Sequence, residues 1–84
     1  MDEFNPHALT RELTFGEKAV GVTFNPSSNP MVDAIKEKSA ELIDLMHTLR
    51  EATGNPEVKR QLSTAMTNAQ TAQMWAVKAV TWQY

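Results

Sequence analysis

The sequence predicts an all-α protein, an antiparallel helical hairpin with an irregular N-terminal arm that assembles into a homo-oligomer. Asn29-Pro30 and Asn55-Pro56 each place a capping asparagine before a proline at the first helical position. The two segments that follow carry apolar residues at helical spacing. Only about three residues separate them, and so short a turn folds the second helix back antiparallel against the first.

The first helix is predicted over residues 30–53. Its apolar residues follow the a/d spacing of a heptad, and Gly54 is expected to end it in the left-handed conformation. The predicted seam consists of Val32, Ile35, Ser39, Leu42, Met46 and Leu49. The charged residues expected to face solvent on this helix are Lys36, Glu37, Lys38, Glu41, Asp44 and Arg50.

The second helix, predicted over residues 56–82, carries more apolar surface than one partner helix can cover. Small side chains dominate its seam, which consists of Val58, Leu62, Ala65, Ala69, Ala72, Ala76 and Ala79. Bulky apolar residues occupy its other faces, and they are Met74, Trp75, Val77, Val80 and Trp82. A chain of 84 residues has a small core, so the surplus predicts assembly with further copies.

Residues 1–28 are predicted to form the arm and a loop, in a single domain with the hairpin at 29–84. Residues 1–14 are interpreted as a lead-in with at most one helical turn. Thr14 and Glu17 have the spacing of a capping box and start a short helix that Gly21 interrupts. Residues 22–24 favour extended backbone, and residues 25–30 are turn formers.

Composition argues against several classes of protein. The chain has no cysteine, and His7 and His47 lie in unrelated segments, so the sequence predicts neither an enzyme nor a metal site and implies no cofactor. No apolar run approaches the roughly 18 residues of a membrane span. The formal net charge of −2 disfavours DNA and RNA polymers. This net charge is compatible with a small charged ligand.

Residues 15–24 hold candidate binding groups, because Gly16 and Gly21 permit close backbone approach and Lys18 offers a cation. Phe24 could stack on a nucleobase. An alternative is that the arm's aromatics cover the hairpin and Lys18 is solvated. The polar residues of the second helix either form hydrogen bonds across an interface or to a ligand, or they form a solvated face. They are Thr64, Thr67, Asn68, Gln70, Thr71 and Gln73.

Three stretches of the chain, TFGEKAVGVTFNPS at 14–27, NPMVDAIK at 29–36 and TAQMWAVKAVTW at 71–82, carry a family resemblance. They resemble the helical-hairpin domain of phage anti-CBASS and anti-Thoeris sponges. The resemblance implies sequestration, without cleavage, of the cyclic nucleotides that trigger bacterial CBASS or Thoeris immunity. It also implies a homohexamer in the cytoplasm of the infected host, with a cyclic dinucleotide such as cyclic GMP-AMP between protomers. Cyclic trinucleotides and cyclic ADP-ribose isomers are further ligands of these families.

The resemblance also implies site residues. Ile35-Lys36 is similar to a family pair whose lysine reaches the dinucleotide, and Phe24 is the nearest equivalent of a tyrosine that stacks on the base. Residues 66–70 resemble a stretch of the trinucleotide site, which makes Thr67 a candidate, although the family's arginine is absent there. With Lys18 of the arm, the candidate ligand-binding set is Phe24, Lys36, Lys18 and Thr67.

Two other functions remain open from the sequence. An oligomeric helical adaptor module could bind a protein partner with Trp75 or Trp82 as anchors, since tryptophan is frequent at binding hot spots. A nucleic-acid-binding regulator would need a basic helix face, which the sequence lacks. Nucleotide binding that depends on Lys36 separates the sponge from the adaptor.

Overall fold

The computed structural model describes residues 11–84, and every regular element in that range is a helix. Helix α1 spans Phe15–Val20, α2 spans Pro30–Ala52 and α3 spans Pro56–Val80. Helices α2 and α3 form the hairpin, and α1 packs mainly on α2. The predicted all-α hairpin is therefore confirmed, with one short helix in the arm. Most of the predicted lead-in lies outside the described residues.

Side-chain caps start each helix where the sequence predicts. Asn29 and Asn55 each accept a hydrogen bond from the backbone nitrogen two residues on, at 2.8 and 2.9 Å. At α1, Thr14 Oγ1 accepts from the Glu17 nitrogen at 3.1 Å, and the Thr14 nitrogen donates to Glu17 Oε1 at 2.8 Å. Each cap satisfies backbone donors that have no partner within the helix.

The predicted left-handed cap at Gly54 is wrong. Helix α2 ends at Ala52, the cap residue Thr53 that follows it is extended, and Asn55 before Pro56 is itself held extended. The described glycine with positive φ is Gly21, which ends α1 at φ 63°. The Phe24 nitrogen then donates to the Gly21 carbonyl at 2.9 Å, so residues 22–24 turn instead of extending.

The buried face of α2 also differs from the predicted seam. It consists of Val32, Lys36, Ala40 and Ile43, whereas Leu42 and Leu49 are 50% and 51% exposed. The reason is that α2 contacts α1 as well as α3, and this second contact rotates the buried face by about one position. On α3, Met66 and Gln73 are buried between the half-buried Leu62, Ala69 and Ala76, while Ala72 and Ala79 are exposed.

Helix α1 docks on α2 through a backbone contact at Gly16. The site of a Cβ there is occupied by the carbonyl oxygen of Ala40, so only glycine fits. Asp44 of α2 accepts hydrogen bonds from the Gly16 nitrogen at 2.6 Å and from Thr14 Oγ1 at 2.7 Å. The prediction that Asp44 is solvated is wrong, because this half-buried carboxylate anchors the start of α1.

Glu17 is expected to make the stability of the protein depend on pH. It is 7% exposed and forms two hydrogen bonds with Arg11, which lower the pKa of its carboxyl to about 2 from the usual 4.5. The carboxylate therefore stabilises the fold above about pH 5, and this contribution is lost as the pH falls toward the folded pKa. Discounted for the half-exposed Arg11, it amounts to roughly 2 kcal/mol.

Thermal unfolding from pH 7 to pH 2 measures this effect. Glu17→Gln should melt lower at pH 7 and lose less stability on acidification than the unmodified protein. Glu57→Gln is the matched control, because Glu57 forms a similar pair with Arg60 at 2.6 Å on the exposed surface. If the melting temperature of Glu17→Gln fell with pH as steeply as that of the unmodified protein, Glu17 would not be the source of the pH dependence.

Candidate functional site

A cavity of about 350 Å³ lies between the arm loop, α2 and the C-terminal half of α3. Its volume is near the lower end of the roughly 300–1,000 Å³ of small-molecule sites. Apolar side chains form most of its surface, with a few polar groups among them, as is usual for such sites. The lining residues are Phe24, Asn25, Pro26, Ser27, Val32, Lys36, Gln73, Met74, Val77 and Thr81.

Lys36 is buried at the edge of this cavity and is only 6% exposed. Its Nζ donates to the Gly21 carbonyl at 3.0 Å and also to the Phe24 carbonyl. Burial lowers the pKa of this ammonium, and the nearby Asp33 partly opposes that shift. An ammonium has three donors, and these two bonds use two of them. The interpretation of Lys36 as an ordinary solvated lysine is wrong.

Phe24 presents an aromatic surface at the same cavity. Its side chain is 69% exposed, and Lys36 Nζ lies 5.4 Å from the centre of its ring. Phe15, in contrast, stacks on His47 with ring centroids 4.1 Å apart. Phe15 therefore packs on the hairpin, whereas Phe24 lies on the surface beside the ammonium group of Lys36.

Hydrogen bonds hold the loop that forms one wall of the cavity. Asn25 Nδ2 donates to the Asn29 carbonyl at 2.9 Å and to Asp33 Oδ1 at 3.1 Å. Ser27 Oγ donates to Asn25 Oδ1 at 2.7 Å, and Ser28 takes a left-handed conformation with φ 57°. Asn25 is itself buried, so its hydrogen bonds tie the loop to the start of α2.

The family model described as Acb2/Tad1, hairpin domain, matches residues 17–81. The chain belongs to the Acb2/Tad1 hairpin family. This confirms the resemblance to anti-CBASS and anti-Thoeris sponges. At the level of the family, the function is phage anti-defence by sequestration of cyclic nucleotides, performed by binding and not by catalysis. Searches of curated proteins and of solved structures found no match.

In this Acb2/Tad1 hairpin, Phe24 and Lys36 meet at the cavity, and the other two candidate residues lie elsewhere. Lys18 of α1 pairs with Glu12 at 3.2 Å on an exposed surface. Thr67 is exposed on α3, and its hydroxyl donates to the Ser63 carbonyl of its own helix at 3.2 Å. Neither of them lines the cavity.

Gln73 lines the cavity, and the sequence leaves it in a set of six polar residues that either bond across an interface or to a ligand or face solvent. It is 6% exposed, and no hydrogen bond to its side chain is found within residues 11–84. Over the same residues, no fully buried side-chain nitrogen or oxygen lacks a hydrogen-bond partner, so the nitrogen and oxygen of the Gln73 amide are not fully buried. The spacing of Leu62, Met66, Ala69 and Gln73 could have located it on the buried face.

The described part of this Acb2/Tad1 hairpin lacks a membrane-spanning helix and a metal-binding cluster. Residues 11–84 contain no helix that is long and apolar enough to cross a membrane. The same residues contain no group of three or more histidine or acidic side chains placed to hold a metal ion.

Proposed function

We propose that this protein binds a cyclic dinucleotide such as cyclic GMP-AMP at the cavity and holds it without cleavage. In the cytoplasm of an infected bacterium, that sequestration would block CBASS- or Thoeris-type immunity. The observation that carries the proposal is the meeting of a buried cation and an exposed aromatic, with Lys36 Nζ 5.4 Å from the ring centre of Phe24. A nucleotide offers a phosphate to the first and a base to the second.

The size of the cavity supports a ligand shared between protomers. About 350 Å³ suits one base with part of its sugar and phosphate, whereas a cyclic dinucleotide has two of each. Two copies of the cavity related by a two-fold axis would match that symmetry. Exposed apolar side chains toward the C-terminus, with Met74 at 59% and Trp82 at 60%, supply surface for such assembly. A hexamer is the assembly that we propose.

Under this proposal, Lys18 and Thr67 contact the ligand from a neighbouring protomer. Both are exposed and lie away from the cavity of their own chain. In an oligomer, such residues can complete a site that faces another copy. A separate site for a cyclic trinucleotide or a cyclic ADP-ribose isomer would then be formed by residues of more than one protomer.

Calorimetric titration against cyclic dinucleotides, cyclic trinucleotides and cyclic ADP-ribose isomers tests the function. We expect tight binding of at least one member and release of the intact ligand after heat denaturation of the protein. Release of a cleaved product would contradict sequestration. No binding by a protein that is folded and oligomeric would instead favour the adaptor module, for which Trp75, 64% exposed, offers an anchor.

A further inference from the structure

The cavity has a floor of buried side chains and a rim of exposed ones. Among its lining residues, Phe24 and Met74 are exposed, whereas Lys36 and Gln73 are buried. Lys36 belongs to α2 and Gln73 to α3, so each helix of the hairpin contributes one polar side chain to the floor. A ligand that fills the cavity therefore meets both of them.

The polar side chains of the floor differ in how far their hydrogen-bonding groups are occupied. Bonds within the loop engage both ends of the Asn25 amide, and Lys36 donates to two backbone carbonyls. The amide of Gln73 offers two donors and an acceptor. It forms no hydrogen bond with any of residues 11–84. Gln73 is therefore the polar group of the floor whose capacity is unused.

The buried position of Gln73 is unfavourable for the fold itself. Glutamine is mostly found exposed, and removing an amide from water without a compensating hydrogen bond destabilises a protein. Within residues 11–84 no bond of the amide offsets this loss. Its nitrogen and oxygen are not fully buried, so they remain accessible to a molecule in the cavity. Such a molecule can supply the missing bonds.

We propose that Gln73 is a ligand-binding residue and that its amide bonds a neutral group of the bound nucleotide. This inference rests on the proposed function and adds a contact from α3 to those of Phe24 and Lys36. A phosphate oxygen accepts but does not donate, so it leaves the amide oxygen unpaired. A group that both donates and accepts pairs with both ends of the amide. Ribose hydroxyls and base edges are the groups of a nucleotide with that property.

Two measurements on Gln73→Met, the affinity for cyclic GMP-AMP and the melting temperature without ligand, test this inference. Methionine has a similar shape and no strong polar atoms. We expect binding to weaken by roughly 5- to 150-fold, because a group of the ligand then loses its partner in the protein. The melting temperature at one protein concentration should equal or exceed that of the unmodified protein, since no hydrogen bond of the fold is lost.

An analogue of cyclic GMP-AMP that lacks the ribose hydroxyls separates the two sources of the neutral group. If the amide bonds a hydroxyl, the analogue binds the unmodified protein more weakly, and Gln73→Met does not weaken it further. If the amide bonds a base, Gln73→Met weakens both compounds by the same factor. Either pattern supports the inference and identifies the group.

Gln70→Met is the matched control, since Gln70 is half buried on the same helix and does not line the cavity. It should leave the affinity unchanged. The inference is overturned if Gln73→Met binds cyclic GMP-AMP as tightly as the unmodified protein, melts at a lower temperature, or sediments as a smaller assembly. Each of these results leaves sequestration standing. An unmodified protein that does not bind cyclic GMP-AMP also overturns the inference, and one that binds no member of the wider panel overturns the function as well.

Discussion

Lys36→Met is expected to weaken cyclic nucleotide binding by roughly 10- to 150-fold, since hydrogen bonds to charged groups contribute about 1.5–3 kcal/mol. The change removes the donor that remains for a phosphate. It also releases the Gly21 and Phe24 carbonyls, so the exposed ring of Phe24 is no longer held beside α2. Methionine keeps most of the buried volume of the lysine side chain. We therefore expect a folded hairpin with a damaged site.

Titration at a temperature below the melting point of each variant measures this loss. Lys38→Met is the matched control on the same helix, because Lys38 is 76% exposed and its ion pair with Glu41 is 3.7 Å long. That variant should bind and melt like the unmodified protein. If Lys36→Met bound its ligand with unchanged affinity, the cavity beside Phe24 would not be the nucleotide site.

Gly16→Ala is expected to lower the free energy of unfolding by about 3 kcal/mol, at the upper end of the range for overpacking. The added methyl group would overlap the Ala40 carbonyl oxygen and lie 2.9 Å from Asp44 Oδ1. Both belong to α2, which cannot yield without disturbing its contact with α3. Helix α1 would therefore lift away, and the hydrogen bond from the Gly16 nitrogen to Asp44 would be lost.

Urea unfolding at one protein concentration tests this prediction, because assembly makes apparent stability depend on concentration. Gly54→Ala provides the control, since nothing lies within 4 Å of the position that its Cβ would occupy. We expect its midpoint to stay close to that of the unmodified protein. Equal midpoints for Gly16→Ala and Gly54→Ala would contradict the close packing of α1 on α2.

The starts of the helices could be predicted from the sequence because a cap is a local interaction. Thr14, Asn29 and Asn55 each bond backbone groups within three residues, so the pattern of residue types contains the whole signal. The buried face of α2 could not be predicted in the same way. It depends on α1, whose position follows from the contact of Gly16 with Ala40, and no periodicity within α2 reports that contact.

The candidate site was predictable in part. The family resemblance led to Phe24 and Lys36, which the structure brings together. The buried state of Lys36 was not visible, because its carbonyl partners lie 12 and 15 residues away in a turn that was expected to be extended. For Gln73 and the other polar residues of α3, the sequence leaves a ligand or interface role and a solvated face open. The structure separates them, because Thr64, Thr67 and Thr71 bond their own helix, whereas Gln73 is buried at the cavity.

Ligand binding at the cavity is expected to order little of the chain, because Asn25 already holds the loop between α1 and α2 through its bonds to Ser27, Asn29 and Asp33. Each side chain that has to be immobilised on binding costs about 0.5–1.5 kcal/mol of conformational entropy. Here that entropy is lost during folding and not during capture. The resulting gain in affinity should appear mainly as slow dissociation of the ligand. For a protein that neutralises a signal by retention, residence time is the property that decides how well it works.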